Sequence, residues 1–286
     1  MSKHSFKFIH LTDPHLVTRP QKLFDLDVHE RLRLAVDSIN ANFDDAELCM
    51  VTGDIAHWGE RAAYDEINEI LSGLRMPWHL LIGNHDERDT MRAAFPDAPW
   101  TGDGFLHYTI DTPAGIFIVL DTVDDGKNGG QLCEVRLRWL RQQLLETRDL
   151  GRDVFLFMHH APMDIGIHGM NLIGMSNPED LIAVLQGSTH IRHLFFGHLH
   201  RTCHGSWRGI PFSTVKATSH QVALVVDDTT LLKCSHENPA YAVVLVGDDS
   251  VVIHDHSYFE EDTVFDYDRG EPEGGDGPPD HQKDWA

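Results

Sequence analysis

Histidine, aspartate and asparagine recur in five short clusters of this 286-residue chain, and each cluster directly follows an apolar run. The runs with their clusters read FKFIHL-TDPH, AELCMV-TGD, WHLLI-GNHD, VFLFM-HH and HLFF-GHLH. Imidazole, carboxylate and amide donors without thiolates favour zinc, iron or manganese over calcium or a sulfur-preferring metal. The clusters therefore predict a metal site, whose candidate residues are Asp13, His15, Asp54, Asn84, His85, Asp86, His159, His160, His198 and His200.

The number of candidates predicts two ions rather than one. A single zinc-like ion takes three or four protein ligands, and the clusters offer about twice that number. Asp54 follows a glycine on a predicted tight turn and has the short reach of a bridging carboxylate. Two cations ~3.5–4 Å apart can hold both oxygens of an in-line displacement at phosphorus, and a water between them loses its proton readily. The pattern thus favours phosphoryl transfer by attack of a metal-bridging hydroxide.

The clusters can meet only if a sheet positions them. In an open α/β sheet the ligand site lies at the carboxyl ends of the strands, and each cluster stands at such an end. Apolar runs predict strands at 7–11, 47–51, 78–82, 116–120, 154–158 and 193–196. Apolar residues at helical spacing predict helices at 28–42, 61–74, 134–146 and 178–186.

The pattern changes after Gly197. Runs separated by Gly, Asp and Pro predict antiparallel strands, and they lie at 221–226, 241–246 and 251–254. Strand–helix alternation followed by such a meander indicates two packed sheets with helices outside. We expect one domain over 1–259 and an acidic, disordered tail over 260–286, whose ten acidic residues against two basic ones give a net charge of −8.

Composition excludes several partners. With 23 Lys+Arg against 45 Asp+Glu the net charge is −22, which argues against long nucleic acids and anionic membranes. The apolar runs are far shorter than the ~20 residues of a membrane helix. The amino terminus has no signal-peptide pattern, and the four cysteines are scattered without a C-x-x-C pair. We therefore expect a cytoplasmic protein with reduced cysteines.

The ordered motifs Asp-x-His, Gly-Asp, Gly-Asn-His-Asp, His-His and Gly-His-x-His resemble those of the calcineurin-like metallophosphoesterases over about residues 6–256. The stretches 159–162 (HHAP) and 218–221 (TSHQ) further resemble the bacterial class III cyclic-nucleotide and glycerophosphodiester phosphodiesterases. The resemblance implies a four-layer αββα sandwich of two mixed sheets flanked by helices. It also implies a metal-dependent phosphodiesterase acting on small soluble phosphodiesters.

The resemblance assigns the metal ligands residue by residue, with Asp54 bridging the two ions. It implies one ion on Asp13, His15, Asp54 and His200, and a second on Asp54, Asn84, His159 and His198. His159 is preferred to His160 because of its position ahead of the proline. The metals themselves stay open among manganese, iron, zinc and cobalt.

The resemblance also implies residues that act on the substrate. His85 is the family's non-ligand histidine, which stabilises charge or protonates the leaving oxygen, and Asn84 lies beside the phosphate. Asp86 orients His85 or its loop. His220 is either a phosphate contact or an ordinary loop histidine. His57 and His204 lie near the site in the sequence pattern and are weaker candidates for a substrate contact.

Three alternatives remain open. The same scaffold could serve a phosphomonoesterase or a nucleotide pyrophosphatase. A non-catalytic scaffold protein is a distant third, since such a protein should lack metal ligands and none is missing here.

Segment 163–177, which carries glycines and three methionines, is either a crossover with buried methionines or a cap or oligomer contact. A homo-oligomer is therefore an expectation as well.

Overall fold

Two mixed β-sheets stack on each other in the computed structural model, which describes residues 4–259. The strands are β1 (His4–Leu11), β2 (Leu48–Thr52), β3 (Trp78–Leu81), β4 (Tyr108–Thr112), β5 (Gly115–Leu120), β6 (Val154–Met158), β7 (Ile191–Phe196), β8 (Cys203–Trp207), β9 (Ile210–Thr214), β10 (Gln221–Val222), β11 (Cys234–Ser235), β12 (Ala240–Gly247) and β13 (Val251–Ser257). The helices are α1 (Val28–Asn42), α2 (Arg61–Leu71), α3 (Arg88–Ala94), α4 (Glu134–Asp149), α5 (His168–Asn171) and α6 (Pro178–Leu185). The strand orders are β13-β12-β1-β2-β3 and β4-β5-β6-β7-β9-β8, and β10 and β11 form a separate ribbon.

Alternating side chains divide the molecule into four layers. Phe8 of the first sheet lies 5.0 Å from Phe117 and 5.4 Å from Phe195 of the second, ring centre to ring centre. The intervening residues of β5, such as Ile118, point to the opposite face and pack with residues of α4 and α6. Helices α1 and α2 contribute to the core that includes the first sheet. The αββα fold predicted for this chain is confirmed.

Most predicted elements are present, and the differences have physical causes. Helix α3 and strands β4, β8, β9 and β11 were not predicted, because they are short or half exposed and carry little periodicity. The predicted strand at 221–226 is wrong beyond Val222, since Leu224 and Val226 are exposed and unpaired in the ladder. Strand β9 pairs with β8 in the antiparallel direction but with β7 in parallel, so the strands after Gly197 are not all antiparallel as predicted.

Parallel pairing sets the position of the site. Strands β1, β2 and β3 run parallel in one sheet, and β5, β6 and β7 run parallel in the other. The loops that follow these strands carry the polar clusters, so residues from both sheets can meet at one edge of the sandwich.

The predicted acidic tail at 260–286 lies outside the described residues. Among the helices that the structure describes, none has the length and apolar character that crossing a bilayer requires.

Candidate metal centre

The loops after four strands, β1, β2, β6 and β7, bring two groups of ligand atoms together. In each group, the ligand atoms lie within 4.8 Å of one another. The first group is Asp13, His15, Asp54 and His200; the second is His159, His160 and His198. All seven side chains are buried. The first group coincides with the four residues that the family resemblance assigned to one ion.

Asp54 lies between the two groups. Its Oδ2 atom is 3.3 Å from His15 Nε2 and also 3.3 Å from His159 Nε2. Its Oδ1 atom accepts a hydrogen bond of 2.9 Å from the backbone N–H of His85. One carboxylate thus faces an imidazole from each sheet, as a bridging ligand must.

Backbone carbonyls orient the imidazole rings. His159 Nδ1 lies 2.8 Å from the carbonyl oxygen of Thr52, and His200 Nδ1 lies 2.8 Å from that of His220. A carbonyl only accepts, so each Nδ1 carries the hydrogen. In the neutral form of each ring the lone pair is therefore on Nε2, which faces Asp54 in His159 and Asp13 in His200.

Unpartnered buried atoms test whether metal ions fit this site. Asn84 Oδ1 and His160 Nε2 are buried and make no hydrogen bond within the part of the chain that the structure describes, whereas His159 Nε2 faces the Asp54 carboxylate at 3.3 Å. Leaving such a group unsatisfied costs about 1–3 kcal/mol. A cation coordinated by these atoms would remove that cost, and the mixed nitrogen and oxygen donors suit two divalent transition-metal ions.

The backbone at the candidate ligands is strained. Among the described residues, eight non-glycine residues have positive φ angles, and five of them are candidate ligands. These five are Asp13 (51°), His15 (46°), Asp54 (50°), His198 (68°) and His200 (45°). Such conformations persist where the surrounding structure enforces them, and they concentrate at functional sites.

Two glycines allow the loops to approach this closely. A Cβ atom on Gly53, whose φ is 92°, would collide with the Nδ1 atom of His159. A Cβ atom on Gly83 would collide with Asp54 Oδ1. The glycines of the Gly-Asp and Gly-Asn-His-Asp motifs are therefore required by space and not only by turn geometry.

Buried charges compensate one another in the site. Burial alone would lower the pKa of His159, but the Asp54 carboxylate outweighs burial and raises this pKa to about 9. Burial would raise the pKa of Asp54, yet His159 and His15 hold it well below its usual value. The proton shared by this pair is the charge that a divalent ion would replace, because a histidine ligand must be deprotonated.

Asp86 holds two loops together. Its carboxylate accepts hydrogen bonds from the backbone N–H groups of Ile55 (3.1 Å), Ala56 (2.9 Å) and Gly83 (2.9 Å), and from Tyr64 Oη (3.0 Å). Burial raises its pKa to about 6. These contacts join the loop after β2 to the loop after β3. Of the two roles expected from the sequence, they correspond to orienting the loop.

His85 and His220 lie beside the first group of ligands. The ring of His85 is 4.7 Å from that of His15, and its Nδ1 atom lies 2.8 Å from the carbonyl oxygen of His57. The Nδ1–H of His85 donates to this carbonyl, so Nε2 is the ring nitrogen that this hydrogen bond leaves free. The ring of His220 is 4.4 Å from that of His200, and burial lowers its pKa to about 2, which keeps it neutral.

A chain of hydroxyl groups behind Asp13 was not predicted from the sequence. Thr12 Oγ1 lies 2.6 Å from Asp13 Oδ2, Thr52 Oγ1 lies 2.7 Å from Thr12 Oγ1, and His10 Nε2 lies 2.8 Å from Thr52 Oγ1. All four residues are buried. The threonine directly before each of the motifs Asp-x-His and Gly-Asp was the available signal, since a polar residue at the end of a buried strand needs a partner.

Segment 163–177 touches the second group of ligands. The carbonyl oxygen of Ile173 lies 3.0 Å from His198 Nε2. Met170 and Met175 are buried, whereas Leu172 is 61 % exposed. The buried methionines are those of the ordinary crossover considered from the sequence. A cap or oligomer role of this segment stays a prediction.

The fold and the site define a metallophosphoesterase, and sequence comparison agrees. The pattern of the family described as calcineurin-like phosphoesterase matches residues 6–202. The chain therefore belongs to the calcineurin-like phosphoesterases.

Individual relatives point the same way. The chain is 40 % identical over 261 residues, 91 % of its own length and 95 % of the relative's, to the probable cyclic nucleotide phosphodiesterase RPA0124 of Rhodopseudomonas palustris. It is 31 % identical to the probable glycerophosphodiester phosphodiesterase GpdQ of Arcobacter nitrofigilis, covering 76 % of this chain and 80 % of that one. A solved dimetal phosphatase from Danio rerio has the same fold, with a TM-score of 0.70 at 16 % identity over 90 % of this chain and 98 % of the other.

Proposed function

We propose that this protein hydrolyses small soluble phosphodiesters, either cyclic nucleotides or glycerophosphodiesters. The observation that carries the proposal is Asp54 Oδ2 at 3.3 Å from both His15 Nε2 and His159 Nε2. A carboxylate between two groups of nitrogen and oxygen donors is suited to a pair of divalent ions. The names of the relatives in Rhodopseudomonas palustris and Arcobacter nitrofigilis support the substrate class.

The ligands proposed for the first ion are the first group in the site, whereas those for the second ion differ from the second group by Asn84 in place of His160. Asp13, His15 and His200 would hold one ion, Asn84, His159 and His198 the other, and Asp54 both. Manganese, iron, zinc or cobalt would serve, because the donor set accepts each of them. A bound pair supplies Lewis-acid activation of the phosphoryl group and of water.

His85 is the proposed proton donor. Its Nδ1–H donates to the carbonyl of His57 over 2.8 Å, which fixes the ring and leaves Nε2 directed away from that anchor. With a second proton, carried on Nε2, the ring can contact a phosphoryl oxygen and deliver that proton to the leaving-group oxygen as its bond to phosphorus breaks, so that the group departs as an alcohol. Asp86, through its bonds to the loop after β2 and to Gly83, keeps the loop of His85 in place.

Charge limits the size of the substrate. The chain carries −22 overall, so a long polyanion is repelled by most of the molecule. A substrate with one phosphodiester group needs only the local site, where cations offset Asp13 and Asp54. We therefore favour a small substrate over a nucleic acid.

The direct test is hydrolysis of an aryl phosphodiester by the purified protein with Mn²⁺. Asn84→Ala removes a proposed metal ligand and His85→Ala removes the proposed proton donor. We expect each variant to lose at least about 100-fold in kcat/KM, since general acid catalysis alone contributes about 10²–10⁴-fold. His204→Ala is the matched control, because the structure puts that exposed histidine on β8, outside both ligand groups. Full activity in both site variants would overturn the mechanism.

A comparison of substrates separates the proposal from its nearest alternative. A phosphodiesterase should have a higher kcat/KM for a diester than for the monoester with the same leaving group. The reverse order would favour the phosphomonoesterase considered from the sequence.

A further inference from the structure

A tight turn at the mouth of the site exposes an aromatic ring at a conformational cost. Leu23 and Leu26 pair through backbone hydrogen bonds of 3.1 and 2.8 Å. The two residues between them, Phe24 and Asp25, have φ angles of 50° and 66°. Two positive φ angles define a type I′ turn, which favours Asn-Gly and is unfavourable for a phenylalanine.

The turn stands on a small apolar core that holds it in place. Leu23 is buried together with Val17 and Val28, and Leu26 packs against them. Phe24 is not part of this core, because 51 % of its surface is exposed. Because about half of the Phe24 side chain stays exposed, burial offsets only part of the cost of its strained conformation, and this placement points to a role outside folding.

A second exposed aromatic side chain lies in the same region. Trp58 is 54 % exposed, and its ring is 4.8 Å from that of His57. Phe24 lies 6.1 Å from His57 and 4.8 Å from His220. We call Phe24 and Trp58 the aromatic rim.

The aromatic rim is one ring away from the candidate metal centre. His57 stacks on His85 with ring centres 4.6 Å apart, and its Nδ1 atom lies 3.0 Å from His15 Nδ1. His220, which Phe24 contacts, lies beside His200. The aromatic rim is therefore within reach of the organic group of a substrate whose phosphodiester lies at the metal centre.

We propose that the aromatic rim binds the nucleobase of a nucleoside cyclic phosphate by stacking. This inference rests on the proposed function and selects between its two substrate classes. Flat exposed rings beside a phosphate site favour a flat organic group, since any of the nucleobases is stabilised by stacking on an aromatic side chain. A glycerol or ethanolamine group has no flat face, so the aromatic rim would add little to its binding.

The test compares two substrates that differ only in the base. They are adenosine 3′,5′-cyclic phosphate and the analogue with a methyl group in place of adenine. We expect Phe24→Leu and Trp58→Leu each to reduce the ratio of kcat/KM for the nucleotide to kcat/KM for the analogue by about tenfold, mainly through KM. Phe24→Tyr, which keeps a flat ring, should restore the ratio.

Controls separate failure of this inference from failure of the proposed function. Leu150→Ala removes a side chain that is 71 % exposed at the end of α4 and should leave the ratio unchanged. Inhibition by adenosine monophosphate should weaken about tenfold in Phe24→Leu, while inhibition by inorganic phosphate should not. A ratio within twofold of the parent's in both rim variants would overturn the inference, as would a parent protein that hydrolyses an aryl phosphodiester but not the cyclic nucleotide. A parent protein that hydrolyses none of the three compounds would overturn the proposed function.

Discussion

At the scale of single residues, the site depends on atoms that never touch a substrate. The hydroxyl groups of Thr12 and Thr52 link the ring of His10 to the carboxylate of Asp13. The terminal acceptor is a carboxylate, so all the hydrogens in this chain point towards Asp13. His10 Nε2–H donates to Thr52, Thr52 to Thr12, and Thr12 to Asp13. Asp13 is thereby held in one rotamer before any cation arrives.

Breaking this chain at Thr52 should cost stability. In Thr52→Val the volume is kept, but the buried N–H of His10 loses its acceptor, and the free energy of unfolding should fall by about 1–3 kcal/mol. Urea denaturation of the variant and of the parent protein measures this difference in the free energy of unfolding. Thr109→Val, on the exposed part of β4, is the control and should change stability by less than about 0.5 kcal/mol. Equal effects of the two substitutions would show that the hydroxyl chain contributes nothing.

At the scale of elements, what could be predicted depended on burial. Strand β6 is buried along its whole length and was predicted to the residue. Strand β8, CHGSW, has no buried residue and resembles a loop. Helix α3 buries only Met91, so no apolar period marks it. Apolar runs therefore revealed all five strands of the first sheet and the buried strands β5, β6 and β7 of the second, but not the edge strands β4 and β8 of the second sheet.

In the candidate site too, some residues could be predicted from the sequence and others could not. The residues that were predicted are those in compact motifs, such as His198 and His200 in Gly-His-x-His. Phe24 and Trp58 were not predicted as site residues, because neither stands in a motif and only folding brings both next to His57. A bulky residue in a type I′ turn has no local signature, since its sequence contradicts the usual preference.

The amino terminus of α1, which follows the turn that carries Phe24, offers a test at this scale. Asp27 accepts a hydrogen bond of 3.0 Å from the backbone N–H of Glu30, and this bond lowers the pKa of Asp27. Asp27→Ala should reduce the free energy of unfolding by about 1 kcal/mol at pH 7.

The pH dependence of that difference has a definite sign. Because the folded pKa lies below the unfolded one, the charged cap stabilises the protein above the unfolded value of 3.8. That contribution is lost as the pH falls through the lower, folded pKa. Denaturation of Asp27→Ala and the parent protein over this range should therefore show converging stabilities in acid. A difference that grows on acidification would contradict the cap assignment.

At the scale of the whole molecule, the candidate metal centre joins the two sheets. Asp54 follows β2 of one sheet and His159 follows β6 of the other, and their side chains meet at 3.3 Å. Cations between them would bind the folded chain and not the unfolded one, which lacks the arrangement. Metal binding is thus expected to stabilise the contact between the sheets as well as to supply chemistry.

Removing metal should therefore lower Tm. An ion present at 100 times its Kd adds about 2.7 kcal/mol, and for a chain of this size that corresponds to about 5–10 °C. Calorimetry of the protein with Mn²⁺ and after chelation measures the shift. Asp54→Asn should abolish most of it, since the bridging charge is gone. An identical Tm with and without the ion in the parent protein would contradict this coupling.

The position of β1 in the middle of its sheet has a consequence for synthesis of the protein. Strand β1 pairs with β2 on one side and with β12 on the other, where Lys7 aligns with Leu245. As the chain leaves the ribosome, one edge of β1 stays open until β12 emerges, and an open edge can pair with other chains. The native sheet must therefore wait for β12, which lies near the end of the described chain, and until then this edge of β1 is exposed to pairing with other chains.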